Sequence, residues 1–397
     1  MRIEIKGQAK AEFAPVRTAY EQLWQGIEVG SSLCIYHRGE KVVDLWGGFT
    51  DRDMSTNWEA DTLVNVYSTS KGLAALAIAI LHGEGRIDYD EKVVVYWPEF
   101  GAEGKEHITV AQLLSHQAGL CGVDARLSVK DLYDWRKMIN LLAAQKPLWP
   151  LGTGAGYHAV TWGYFPGELI RRLCGKTLGQ YLQEKVTIPL NADFYIGLSE
   201  SEFSRCAALI GPNHARPEAN SFKNDQESKG RRSPGKSTIS PKFYAEALLN
   251  PTISPFKDAC SREWRKAEIA ASNGHASARG IARIYAALSL GGTLDGLEIV
   301  PNSSLKESLK VEVDGPEDMV LGGKLRRARG FMLNTDEAYG PNPSSFGHAG
   351  AGGSLGFADM DAGIGFGYAM NQMQNDSTSI PRSKRLLKAL YQCISQI

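Results

Sequence analysis

Ser68 and Lys71 stand three residues apart in STSK, directly ahead of GLAALAIAIL, a run with no charged or hydroxyl residue. Side chains at that spacing share one face of a helix, so the hydroxyl could act as a nucleophile with the amine as its base. The start of a helix carries unpaired backbone N–H groups and a partial positive charge, which favour negative charge developing on a serine oxygen or on an attacked carbonyl. A lysine near that positive end, at the edge of an apolar core, loses solvation. Its pKa should fall until a neutral amine can take a proton. The same residues also suit a plain N-cap and a lysine reaching past the core to water. This stretch alone does not choose between the two readings.

SxxK occurs four times, at Ser68, Ser233, Ser254 and Ser303, so context has to choose among them. Ser233 lies in a polar stretch, and Ser254 and Ser303 lead into charged segments such as KDACSREWRK and KESLK. Only Ser68 heads a segment that is apolar all round. Leu73, Leu76, Ala77, Ile80 and Leu81 form one face, while Ala74, Ala75, Ile78 and Ala79 cover the rest, as in a central buried helix. A second serine, Ser354 in GGSLG, fits the GxSxG nucleophile elbow. That elbow requires a helix straight after the serine and a histidine later in the chain. Here LGFADMDAG reads as a strand entering a turn, and the last histidine, His348, lies upstream. Ser354 therefore reads as part of a glycine-rich bend beside a cleft.

No HExxH, paired-histidine spacing or Walker loop is present, so no metal or cofactor is expected. His116 and His275 read as satisfied structural histidines. The six cysteines are scattered without a CxxC pair and read as free, mostly buried thiols. Lys plus Arg and Asp plus Glu number 44 each, which argues against a nucleic-acid partner. With 43% hydrophobic and 22% charged residues the composition is that of a globular protein. The longest apolar run, Leu73 to Leu81, is far short of the roughly 20 residues a membrane span needs. The N-terminal residues lack a signal-like apolar region, so the expectation is a cytoplasmic protein without a membrane partner.

A chain of 397 residues exceeds one hydrophobic core. Phe13, Val16, Tyr20 and Leu23 recur at helical spacing, and SSLCIYHRGEKVVDLWGG reads as two strands joined at Arg38, Gly39 and Glu40. Helical patterns then dominate, including TVAQLLSHQAG, DLYDWRKMINLLAAQ and TWGYFPGELIRRLCG. Strands return in RARGFMLN, SSFGHAGAGG, SLGFADMDAG and GIGFGYAMNQM, and PRSKRLLKALYQCISQ closes as a helix. The expected fold is α+β: an antiparallel sheet built from both chain ends and flanked by helices. Residues 1–60 and 270–397 would form it, with a mainly helical domain, 61–269, inserted between. Residues 211–241, rich in Pro, Gly, Ser, Asn and charge, read as a long solvated loop.

In their order these segments resemble the serine β-lactamase and penicillin-binding-protein superfamily, in particular the class C-like branch that contains the family VIII carboxylesterases. STSK, LLSHQAGL (113–120), PLGTGAGY (150–157), SNGHASARG from Ser272 and GHAGAGG from Gly347 carry the resemblance over roughly residues 10 to 395. It implies a β-lactamase-like fold and makes Tyr157 the third member of a catalytic set with Ser68 and Lys71. A phenol beside an ammonium would have a lowered pKa and could relay the serine proton to a leaving group. By the same resemblance Ala351 and Ser68 would supply the oxyanion N–H groups, and His348, Ala349 and Gly350 would take the place of a Lys-Thr-Gly element.

Two departures bear on the substrate. His348 stands where the family's lysine attracts a carboxylate, and Ala159 stands where many lactamases carry an asparagine. Both point toward uncharged short-chain esters as small-molecule substrates of a serine hydrolase. β-Lactamase, D-amino-acid peptidase, acyltransferase and a non-catalytic binding protein stay open as alternatives, as does monomer or homo-oligomer.

Overall fold

The computed structural model describes residues 3–26, 28–211, 239–315, 317–374 and 380–397. Both parts of the chain that read as strands meet in one eight-stranded sheet. Its order is Ile5–Ala9, Glu40–Gly48, Gly30–His37, Ile364–Met370, Leu355–Asp359, Phe346–Ala349, Met332–Leu333, Arg326–Arg327, with every neighbouring pair antiparallel. The first hairpin turns at Arg38 and Gly39, whose φ of 50° and 84° supply the left-handed conformation that a two-residue hairpin loop requires. The edge strand Ile5–Ala9 has no counterpart among the expected elements. Lys6, Gly7 and Gln8 have little strand preference, and the strand exists through its pairing with Glu40–Gly48. RARGFMLN shrinks to two strands of two residues each, broken by Gly330 at φ 124°.

Side chains alternate across the strand Ile364–Met370 and so serve two helical layers. On one face, a Cβ at Gly365 or Gly367 would run into the backbone of Ala286, Ala278 and Ala282, so these glycines let the helix Ala278–Ser289 lie directly on the sheet. On the other face Tyr368 gives its hydroxyl to Glu28, which also pairs at 3.0 Å with Arg382 of the helix Ile380–Ile394. That helix packs beside Ala14–Leu23, whose Val16, Tyr20 and Leu23 are fully buried as their spacing indicates.

The helix Ser70–Gly83 is the centre of the helical region. Residues 70 to 81 are all buried, and the helix packs against Tyr164–Cys174 and Asn302–Ser308. Burial of Leu73, Leu76, Ile78, Ile80 and Leu81 contributes about 1.5–3 kcal/mol each. The helix start can therefore hold polar groups at some cost without unfolding. Of the polar stretch 211–241, residues 212–238 lie outside the described residues. Its last part begins the helix Pro241–Leu248, where the Ser240 hydroxyl accepts from Phe243 N–H. Among the described residues no helix is long and apolar enough to cross a membrane.

Candidate active site

The residues before the central helix are pinned before they turn. Val64–Asn65 pairs with His275–Ala276, Val66 N–H donates to Gly274 O at 2.8 Å, and Tyr67 bridges Asn273. Tyr67 then takes φ +44°, an unfavourable region for a bulky residue. This bend presents Ser68 half-buried in the turn just ahead of the helix. Ser70 N–H to Tyr67 O and Lys71 N–H to Ser68 O, both 3.0 Å, wind the turn into the helix and bring Lys71 back over Ser68. Of the other SxxK pairs, Lys257 and Lys306 are exposed, and the pair at Ser233 lies outside the described residues.

Lys71 is 1% exposed. Its Nζ lies 2.8 Å from Ala159 O, 3.0 Å from Ala271 O and 3.3 Å from Ser68 Oγ. Burial holds the amine well below the ordinary lysine range. The two carbonyls can only accept, so Lys71 donates to both, and its third contact is the Ser68 oxygen.

Tyr157 completes the cluster, with its hydroxyl 2.7 Å from Ser68 Oγ and its ring 4.7 Å below Lys71 Nζ. The expected lowering of its pKa is not found. Burial, the largest influence, pushes the phenol up, against its hydrogen bond with Ser68 and the charge of Arg327. The physical reason is that the phenol is itself buried, which disfavours its charged form more than its neighbours favour it. Burial thus shifts both groups toward their uncharged forms, with Ser68 between them.

The strand Phe346–Ala349 and the turn after it form the facing wall. His348 is 6% exposed, and its ring lies 6.0 Å from that of Tyr157. Nδ1–H donates to Ala349 O at 2.7 Å, which leaves the lone pair on Nε2; that atom is buried without a hydrogen-bond partner among the described residues. Burial lowers the His348 pKa to about 3, so the ring is neutral at pH 7. Gly350 is required where it stands, because a Cβ there would lie 2.1 Å from Val66 O and 2.2 Å from Ser354 Oγ. Ala351 is exposed at the tip of the turn. Ser354 is 1% exposed, and no helix follows it: the next element is the strand Leu355–Asp359.

Sequence reasoning missed what holds Tyr157 from behind. Asp318 and Arg327, each 1% exposed, form a buried ion pair. The free oxygen of Asp318 accepts from the N–H groups of Tyr157 at 3.2 Å, Val320 at 2.9 Å and Leu321 at 2.6 Å. In the sequence Asp318 sits in an acidic, glycine-containing stretch that looks like surface loop, and nothing marks it as buried. His116 and His158 are structural, as expected of His116. The His116 ring lies 5.3 Å from that of Tyr157, tilted by 32°, and its Nδ1 accepts from His158 N–H at 3.0 Å. His158 in turn bonds Leu120 N–H and Gly156 O, and burial keeps it neutral with a pKa near 3.

An antiparallel sheet from both chain ends, a buried helix headed by SxxK, and a tyrosine on the same serine oxygen are arranged as in a β-lactamase-like fold. The chain belongs to the beta-lactamase family, whose model matches residues 16–390. It is similar to the esterase/beta-lactamase LipL of Mycobacterium tuberculosis, with 33% identity over 376 residues that cover 92% of this chain and 83% of that one. Among solved structures it resembles a family VIII carboxylesterase at TM-score 0.89 and 44% identity, covering 98% of this chain and 100% of that one. A penicillin-binding-protein homologue from Caulobacter crescentus matches at TM-score 0.87 and 39% identity, with the same coverage.

Proposed function

We propose that this chain is a carboxylesterase that hydrolyses short-chain esters through an acyl-enzyme on Ser68. The observation that carries the reading is the pair of contacts on one oxygen: Tyr157 hydroxyl at 2.7 Å and Lys71 Nζ at 3.3 Å from Ser68 Oγ. In the forward step the Ser68 hydroxyl gives its proton to the neutral Lys71 amine as Oγ attacks the ester carbonyl. The N–H groups of Ser68 and Ala351 face the developing oxyanion. As the C–O bond breaks, Tyr157 gives its proton to the leaving alkoxide and regains one from the Lys71 ammonium. Water then repeats the same proton path to release the acid and restore Ser68. Esterase-named relatives, and a neutral wall at His348, support esters as substrates.

In this reading the sheet part, 1–60 and 270–397, contributes His348, Gly350 and Ala351, and the helical part, 61–269, contributes Ser68, Lys71 and Tyr157. A cytoplasmic location fits its six free thiols. The direct test is intact-mass measurement after mixing with an activated ester or a fluorophosphonate. One adduct per chain, mapped to the peptide carrying Ser68, is expected; an adduct elsewhere, or none, contradicts the proposal.

The same site disfavours β-lactams. His348 offers a lone pair, and no charge, where a lactam carboxylate would lie, and Ala159 offers the site only its carbonyl, already bonded to Lys71. Each missing charge-assisted or buried hydrogen bond costs about 1.5–3 kcal/mol, so lactam turnover should trail ester turnover by several powers of ten. His348→Lys is expected to raise kcat/KM for a chromogenic cephalosporin more than for nitrophenyl butyrate. Wild-type lactam turnover equal to that of the ester would refute the argument.

A further inference from the structure

We infer that Ser354 is a positioning residue for the oxyanion site: its buried hydroxyl staples the turn that carries Ala351 to the turn that carries Ser68. The inference rests on the acyl-enzyme reading above. Ser354 Oγ lies 2.8 Å from Val66 O and 3.0 Å from Thr69 Oγ1, and both serine and threonine are essentially inaccessible. A carbonyl can only accept, so the Ser354 proton goes to Val66 O. Thr69 must then donate to Ser354 Oγ. The hydroxyl thus uses its donor and an acceptor site on residues that flank Ser68 on either side.

The same residue closes its own turn. Gly350 N–H donates to Ser354 O at 2.8 Å and Gly353 N–H to Gly350 O at 3.1 Å, with Ala351 at the exposed tip between them. Val66 O also accepts from Thr69 N–H at 3.2 Å, so one carbonyl is shared by both turns. The Ser68 turn is fastened on its other side by Ser70, whose Oγ bonds Tyr67 O and accepts from Gly274 N–H at 2.9 Å. Ser354 supplies the remaining side. Two backbone N–H groups that must converge on one oxygen come from segments far apart in sequence, and the Ser354 hydroxyl links those segments directly. The serine that mimics a nucleophile elbow thereby acts through the backbone it holds.

Small errors in donor position are costly in the transition state and nearly silent in ground-state binding. Ser354→Ala is therefore expected to lower kcat about 10- to 100-fold, less than the loss of a donor outright, with KM within roughly twofold. An alkyl boronic acid separates this from general loosening. Ser68 Oγ adds to its boron, and the resulting tetrahedral boronate oxygen occupies the oxyanion position, so its affinity should fall by the same factor as kcat. Ser354→Cys keeps the volume with only a weak thiol donor and serves if the alanine variant does not fold; Thr69→Val removes the other hydroxyl and should give a comparable loss. Wild-type kcat in these folded variants, or a kcat loss with unchanged boronate affinity, overturns the proposal. Ser68→Ala, run alongside, isolates the underlying reading: if it keeps turnover, the acyl-enzyme itself is wrong, and if it is dead while the Ser354 variants are normal, only the staple is wrong.

Discussion

Ser68→Ala lowers kcat for nitrophenyl butyrate by at least about a thousandfold, with little change in thermal stability. The loss is large because the covalent route disappears; what remains is ester binding beside two backbone donors that alanine leaves in place. Stability should change little because Ser68 is half-buried in a turn held by its neighbours. The turn bonds Val66 N–H to Gly274 O, Ser70 N–H to Tyr67 O and Lys71 N–H to Ser68 O all use the backbone and survive. The measurement is steady-state turnover with a melting curve and intact mass on the same preparation. A folded Ser68→Ala protein that still turns over ester, or still takes up a fluorophosphonate at the wild-type rate, removes Ser68 from the chemistry.

Lys71→Ala and Tyr157→Phe each slow acylation by about 10²- to 10⁴-fold, and the double variant is little slower than the slower single one. Both groups contact the same oxygen, so once either is gone the other no longer completes the proton path. Losses that multiply would mean two independent contributions and would contradict the relay. The pH profile tests the same pair. Acylation needs the unprotonated amine, and burial lowers the Lys71 pKa, so the rate rises with pH through that lowered value and then levels. Burial moves the Tyr157 phenol upward, so no fall from its ionisation is expected through pH 9. An acid limb centred near 10.5, the ordinary lysine value, would show that the amine is not depressed and would remove it as the base.

Some of this molecule is written locally. A helix from Ser70 to Gly83 follows from apolar residues on every side, and a three-residue step puts Ser68 and Lys71 on one face. The Arg38–Gly39 hairpin and the closing helix are similarly local, since turn chemistry and periodicity act over a few residues. The direction of the Lys71 shift was legible for the same reason: an amine at the edge of an apolar helix is desolvated whatever surrounds it. What depended on distant segments was not. Tyr157, 89 residues from Ser68, could be assigned only by resemblance, and its pKa direction reversed because the fold buries the phenol. Asp318 and Arg327 look like surface charges until the fold buries them against each other behind Tyr157. Ser354 matches a motif for one role, while packing gives it another: its hydroxyl has partners only because Val66 and Thr69 are brought against it. Periodicity determines which residues face inward, whereas which inward-facing groups meet is decided by long-range closure of sheet and helices, and that leaves no repeat in the chain to read.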